Sequence, residues 1–440
     1  MSELKSSVVC TRLRKSREAG RELANKTLLK LGTTPNFIIL ITTIHYKKLG
    51  GFNEFLAGIY DVFPKTVRLV GATAAGFITP EGCFTFGATL VGVRCDEMHF
   101  SCAVAEHMRR NPKLAGHKLG VKIRRELDGS SYPHAFAIHI SSGPKAYNLP
   151  GLKLQRIIRT ENHTINKIMS TLTSLSLNIS GRFLGLGIPF FEDAMGEIYK
   201  ELCDYSAVGF GSIDDNSLIY NYQFLDNKVF TDSIVLLGVK SNYNFNISTS
   251  FGFKKTDKIL DVTSVGLGGA EIKTIEGHPA MPWMAEKFGW GKWFFDDVKF
   301  YRRSLFTPFM SSYVCPITKQ VINYIQVLGW VFGDSIILGI KCVDGKLNLL
   351  SASGKSIIDS VDKSVDNISG LDSRLGFIIS CSARLETLGP HVYDVYDRLV
   401  KHFGSTPFVV VYAGGEDAYT SETGMYHGYE SFHVGVLNKP

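Results

Sequence analysis

Three stretches near the end of the chain carry side chains suited to handling a small ligand: Cys381-Ser382-Ala383-Arg384, Tyr412-Ala413-Gly414-Gly415-Glu416-Asp417, and His427. An arginine fork holds a carboxylate through two hydrogen bonds, and a glutamate holds an ammonium group. Arg384 and Glu416 therefore suit an amino-acid-like ligand if the strand ends bearing them converge at one sheet edge. The same two residues could equally form a structural ion pair, and the sequence leaves that choice open. Cys381 invites a second chemistry, that of a thiol nucleophile activated by Arg384 with His427 as base. Nothing else marks it, and a buried apolar cysteine is the plainer reading.

Two earlier places repeat the pattern of an apolar run ending in glycine. Val70-Gly71-Ala72-Thr73-Ala74-Ala75-Gly76 offers Gly71, Thr73 and Gly76 as a turn that a ligand can approach closely. The dinucleotide spacing GxGxxG is absent, and an ordinary tight turn explains these glycines as well. Gly211 is followed by Asp214 and Asp215, which could hold a cation or an ammonium. Adjacent residues of an extended chain point apart, however, so a turn or helix-start role is preferred. Ser351 to Ser356 resembles the end of a phosphate-binding loop, but Leu349 stands where that motif needs glycine. His134 and His139 lie an odd number of residues apart in a strand-like run, which sends them to opposite faces and denies them a shared metal.

Strands must position these groups. Residues 37–44, 66–70, 86–93, 207–211, 232–239, 271–275, 334–340, 375–381, 407–412 and 432–437 read as apolar strands. Helices are expected at 11–32, 51–62, within 347–368 after a strand and turn, and at 388–403. Strand, helix and strand with short links predict parallel pairing, hence an α/β (or α+β) protein with mixed sheets flanked by helices. The runs 87–93, 232–239 and 334–340 resemble one another, which suggests internal repeats. Residues 321–340 read as two buried strands around a turn, 287–303 as an aromatic, basic surface loop, and 241–250 as a linker or an exposed strand.

At 440 residues the chain exceeds one ordinary core. Eight scattered cysteines without a CxxC pair argue for free thiols, and against zinc or redox motifs. The basic first thirty residues lack the apolar core of a secretory signal, and no stretch reads as a transmembrane helix. The net charge of +7 gathers partly there and partly in Arg109, Arg110, Lys113, Lys118, Lys122, Arg124 and Arg125. With no nucleic-acid motif beside it, this charge reads as a solvated surface.

Together these pieces resemble the FIST family of intracellular sensory proteins. The N-terminal FIST segment resembles the run ending Val70 to Gly76, then Val208 to Asp215 and Asp232 to Val239. The C-terminal segment resembles Glu276-Gly277-His278-Pro279-Ala280, Ser380 to Arg384 and Tyr412 to Glu416. The resemblance spans roughly residues 35 to 437 and divides the chain into a basic helix at 1–34, a FIST N-like domain at 35–245 and a FIST C-like domain at 246–440. It implies a cytoplasmic, non-enzymatic sensor of a small, amino-acid-like ligand. The candidate contacts are Gly71, Thr73, Gly76, Gly211, Asp214, Asp215, Cys381, Arg384, Tyr412, Gly415, Glu416 and His427. It also implies a separate signalling partner, since no output domain is visible, and no cofactor. The last loop, Tyr426 to Ser431, departs from the family's more usual Asn/Thr pattern. Alternatives are a haem-based gas sensor with His427, His278, His391 or Cys381 as axial ligand, a thiol enzyme using Cys381, and a scaffold presenting the basic segments to acidic partners.

Overall fold

The computed structural model describes all residues except 1–3, 146–156, 185, 186, 188, 292–307, 315–318, 320, 327, 340 and 343. The chain opens with strand β1 (Lys5–Thr11), helix α1 (Ser16–Leu31), β2 (Phe37–Thr42), helix α2 (Phe52–Tyr60) and β3 (Arg68–Thr73). Helix α1 stops where Gly32 takes φ +68° and its N–H caps the Leu28 carbonyl. The hairpin β4 (Gly76–Thr79) and β5 (Gly82–Phe84) follows, and β6 (Ala88–Arg94) returns between β1 and β2. As expected from the short links, β2 and β3 are parallel.

The same succession occurs twice more. The second unit comprises β7 (Met98–Glu106), α3 (Pro112–Leu127), β8 (His134–Ser142), α4 (His163–Leu184), α5 (Phe191–Glu201), β9 (Ser206–Ser212), the hairpin β10 (Gln223–Leu225) and β11 (Lys228–Phe230), and β12 (Ser233–Ser241). The third begins with β13 (Asn244–Phe251). It resumes with α6 (Gly354–Asp366), β14 (Ser373–Cys381), α7 (Ala383–Leu388), α8 (Val392–Phe403), β15 (Phe408–Ala413), the hairpin β16 (Glu416–Thr420) and β17 (Gly424–Gly428), and β18 (Ser431–Asn438). Between the two parts lies an inserted segment. Its strands, joined by the short strand Ile157–Ile158, build a nine-stranded fourth sheet around Ile272, Met281, Met284 and Leu338.

Each of the three units gives its hairpin away. The six-stranded sheets run β1-β6-β2-β3-β10-β11, β7-β12-β8-β9-β16-β17 and β13-β18-β14-β15-β4-β5. The hairpin of the second unit thus completes the first sheet, that of the third completes the second, and that of the first completes the third. One face of each six-stranded sheet turns to a shared core that includes Ile39, Val91, Ile138, Val208, Ile379 and Val411. The opposite faces are covered by α1 and α2, by α3 and α5, and by α6 and α8. Strands covered on both sides must be apolar on both, which is why they read as continuous hydrophobic runs.

The mixed α/β class therefore stands, while several details differ. The first helix begins at Ser16 and is preceded by β1, which pairs along its whole length with β6, so residues 1–34 are no free helix. The 245/246 division falls inside β13, and 241–250 is largely strand. The run from Asp334 belongs to the fourth sheet, as strand Ser335–Leu338. The strand of the third unit that corresponds to β6 and β12 is instead β18. Residues 321–340 hold three strands, Val321–Gln326, Leu328–Phe332 and Ser335–Leu338. The 388–403 helix starts only at Val392, because Gly389 breaks away at φ +53°. Most of the aromatic, basic loop expected at 287–303 lies outside the described residues.

Candidate functional site

Four strands of the second sheet place one residue each on a line. His139 on β8 lies opposite Gly209 on β9, Gly209 opposite Asp417 on β16, and Asp417 opposite His427 on β17. Residues directly opposite one another share a face of the sheet. The line faces α5, because His139 alternates with Ile138 and Ile140, which point into the shared core. Gly209 makes the line continuous. A Cβ there would stand 1.8 Å from His139 Nε2, so the imidazole lies in the space a side chain would fill. It crosses β9 and brings Nε2 within 3.5 Å of Asp417 Oδ2. From the other side, His427 Nδ1 donates to Asp417 Oδ1.

All three side chains are buried, and their environments split their charges. Burial alone would raise the Asp417 carboxyl, yet the His427 cation overrides it and holds the carboxyl below its usual range. Burial would lower His427, yet Asp417 overrides it and raises the imidazole. His139 is pushed down to about 4 by burial, with Asp417 opposing, and is neutral at pH 7. Helix α5 closes the site. The Phe191 ring rests 5.1 Å from that of His427, and Tyr199 meets His139 edge-on and stacks on Tyr419 at 4.3 Å.

A second buried group adjoins this line. Glu416 accepts from the Gly415 N–H at 3.2 Å and from the Ser431 hydroxyl at 3.1 Å. Burial and the neighbouring Glu430 push its carboxyl well above the usual range. Glu430, held at φ +63°, is pushed up to about 7 by burial, with Arg384 opposing. Arg384 donates to the Glu430 carbonyl at 2.7 Å and to Ser360 Oγ at 3.1 Å, and its Nε lies 3.8 Å from Glu430 Oε2. The partner of Arg384 is therefore Glu430, and the Arg384–Glu416 ion pair that the sequence left open does not form. Beside His427, burial raises the Glu192 carboxyl against the pull of His427 and Lys341.

A family model described as the FIST N domain matches residues 36–278. The chain belongs to the FIST family. That family is associated with sensing in signal transduction. A search of curated proteins finds no match. The FIST N match includes His139 and Gly209 and ends before Asp417 and His427, so the line of charge joins the matched segment to the chain beyond it.

Of the residues expected at a site in this FIST protein, Gly211, Gly415, Glu416 and His427 meet at the β9–β16 junction, where the Gly211 N–H donates to the Gly415 carbonyl at 2.9 Å. Arg384 and Cys381 adjoin that junction through Glu416 and Glu430, and the others lie elsewhere in the framework. Gly71 lies under the Leu40 carbonyl and Gly76 under that of Phe84. Thr73 Oγ1 accepts from the Tyr222 N–H at 3.1 Å, and Tyr412 is buried in the third sheet. Asp214 accepts from the N–H groups of Leu218, Ile219 and Tyr220 and builds a turn, while Asp215 is exposed. Cys381 is fully buried, and burial beside Glu416 and Glu430 drives its thiol well above the ordinary value, which keeps it protonated.

Arg109 leaves the expected basic surface. It is buried, donating to Asp232 at 2.7 Å and to Ser142 Oγ at 2.9 Å. Gly209, Glu430 and Glu192 are not singled out by the sequence as site residues, Asp417 enters only as the end of the Tyr412 to Asp417 stretch, and His139 only as a metal ligand set aside. For His139 the available signal was an imidazole inside an otherwise apolar strand, while Glu192 lies on a helix and Glu430 between two strands. Among the described residues, no group of three or more His, Cys, Asp or Glu could hold a metal ion, and no helix is long and apolar enough to cross a membrane.

Proposed function

We propose that this FIST protein is a signalling sensor for a small, amino-acid-like molecule whose protonated amine is taken by the carboxyls at the β9–β16 junction. One observation carries this reading. Glu192, Glu416, Asp417 and Glu430 are buried together against Arg384 and His427, and burial raises the pKa values of three of the four carboxyls because too little positive charge offsets it. Buried acids of this kind cost stability, and their environment suits an incoming cation that replaces a proton. Arg384 remains in reach of the ligand's carboxylate, although it must then share its fork with Glu430. The sensor works without turnover or cofactor, in the cytoplasm, and passes its state to a separate signalling protein.

A thermal-shift screen against the twenty amino acids, simple amines, nucleotides and haem tests the reading. A ligand at one hundred times its Kd raises stability by about 2.7 kcal/mol. Binding to protonated carboxyls must also release protons, so the calorimetric heat should change with the ionisation heat of the buffer. Glu430→Gln should weaken binding and reduce that proton release. A Soret band on adding haem, or binding untouched by Glu416→Gln and Glu430→Gln, would sink the proposal.

A further inference from the structure

Among its described residues, helix α4 is fixed to the fourth sheet along one side. Asn166 Nδ2 donates to Asp334 Oδ1 at 3.0 Å, His163 Nδ1 lies 3.0 Å from Asp334 Oδ2, and Ser170 Oγ donates to the Phe332 carbonyl at 2.7 Å. Gly333, at φ +59°, lets the helix settle on this turn, since a Cβ there would stand 2.1 Å from the Asn166 carbonyl oxygen. Residues 163, 166 and 170 thus define the docked side.

The opposite side carries Ile165, Ile168, Leu172, Leu175 and Ile179, each between 46% and 61% exposed. At 3.6 residues per turn, the centre of this set lies about 170° from the docked side. The spacings are three, four, three and four, a heptad seam of alternating a and d positions. Such a seam packs against another helix, knobs into holes, at a shallow left-handed crossing. Five large aliphatic side chains along a helix about 33 Å long form a continuous apolar strip of a kind that monomers rarely leave bare.

The charges choose the occupant. From His163 to Leu184 there is no acidic residue, and the only fixed cations are Lys167 and Arg182. A helix lying on an acidic membrane surface needs a polar face rich in Lys and Arg, which this one lacks. A partner recognised through charged flanks would need complementary charges along the seam, and these are missing too. A second copy of the same helix meets no such obstacle: its seam is equally apolar, its spacing identical, and few like charges face each other. We propose that α4 is the dimerisation helix of this protein, pairing through Ile165, Ile168, Leu172, Leu175 and Ile179 with the same residues of a second copy.

Sedimentation equilibrium on the full chain between about 1 µM and 100 µM should show concentration-dependent passage from monomer to dimer. Leu172→Glu and Leu175→Glu should hold the chain monomeric at the highest concentration, and at about 1 µM, where the parent is monomeric too, their circular-dichroism melts should match the parent's because both side chains are already exposed. Leu29→Glu, on α1 and 83% exposed, should dimerise as the parent does. Leu172 is the middle residue of the seam, so Leu172→Cys should form a crosslinked dimer on mild oxidation that the parent and Leu29→Cys do not form. A chain that stays monomeric throughout, a dimer that survives Leu172→Glu, or a Leu172→Cys variant that does not crosslink would each overturn the assignment. The crosslink decides the matter even if a glutamate variant fails to fold.

Discussion

The first and second sheets lay out the same line of four residues with opposite chemistry. In the second sheet it reads His139, Gly209, Asp417, His427. In the first it reads Leu40, Gly71, Phe224, Val229, at the corresponding strands and in the same register. Both lines face the helices outside their sheet, and both glycines are tightly covered, Gly71 by the Leu40 carbonyl, which a Cβ would meet at 2.2 Å, and Gly209 by the His139 ring. The architecture is therefore satisfied by aliphatic and aromatic filler at these positions. The imidazoles and the carboxylate of the second sheet add nothing the fold requires, and burying them costs free energy. That contrast is the physical reason to place function at the β9–β16 junction.

The glycines offer the strongest way to break the comparison. Gly71→Ala sets a methyl group against backbone, and Gly209→Ala sets one against a side chain. Each should cost about 3 kcal/mol or more in urea unfolding. His139→Ala should recover part of the Gly209→Ala loss by vacating the space, whereas Leu40→Ala should do nothing for Gly71→Ala. Equal rescue in both sheets would mean that the ring does not lie where it is described.

Next in size, Asp417→Asn removes the partner of a buried imidazolium and should cost about 3–5 kcal/mol. Phe224→Leu, at the equivalent position, should cost under about 1.5 kcal/mol. Chemical denaturation of both variants at pH 7 measures the difference directly.

A subtler contrast lies in pH. His139 is lowered from 6.5 to about 4, so the unfolded chain binds the extra proton and this group's stability contribution is lost as pH falls through that window. Glu430 is raised from 4.5 to about 7, so the folded chain holds the extra proton and its contribution is lost as pH rises from 4.5 to 7. The two slopes oppose each other in the parent. Glu430→Gln should leave a melting temperature that climbs more steeply with pH between 4.5 and 6.5, and His139→Leu one that falls more steeply. Leu40→Val, in a line without titratable groups, should leave the profile's shape unchanged. Smallest of all, Arg17→Ala removes an exposed ion pair with Asp61 on the outside of the first sheet, and its melting temperature should match the parent's within error.

Much of this fold is legible from local pattern. Runs such as FIILIT at 37–42 announce strands covered on both faces, and Asp214 reads correctly as a turn residue because its acceptors serve the Ser217 hydroxyl and the N–H groups four to six residues on. The charged line is not legible that way. His139 and Asp417 become neighbours only because a hairpin from the third unit joins the second sheet, and no periodicity within either strand encodes that register. His139 could be weighed only against His134, its neighbour in sequence, and not against Asp417. Arg384 found Glu430 instead of Glu416 for a similar reason, since Glu430 holds a left-handed backbone conformation between two strands and displays no pattern of its own.

The traded hairpins also set a timetable for the newborn chain. Strand β4 emerges early, but its partner in the third sheet is β15, with Ile78 opposite Val410. At about 5–20 residues per second, the ribosome needs on the order of tens of seconds to bridge that interval. Throughout it the β4–β5 hairpin presents an unclaimed edge, an aggregation hazard that β10–β11 escapes because β3 has already been made when it appears. The first hairpin thus waits for its partner strand almost until translation ends.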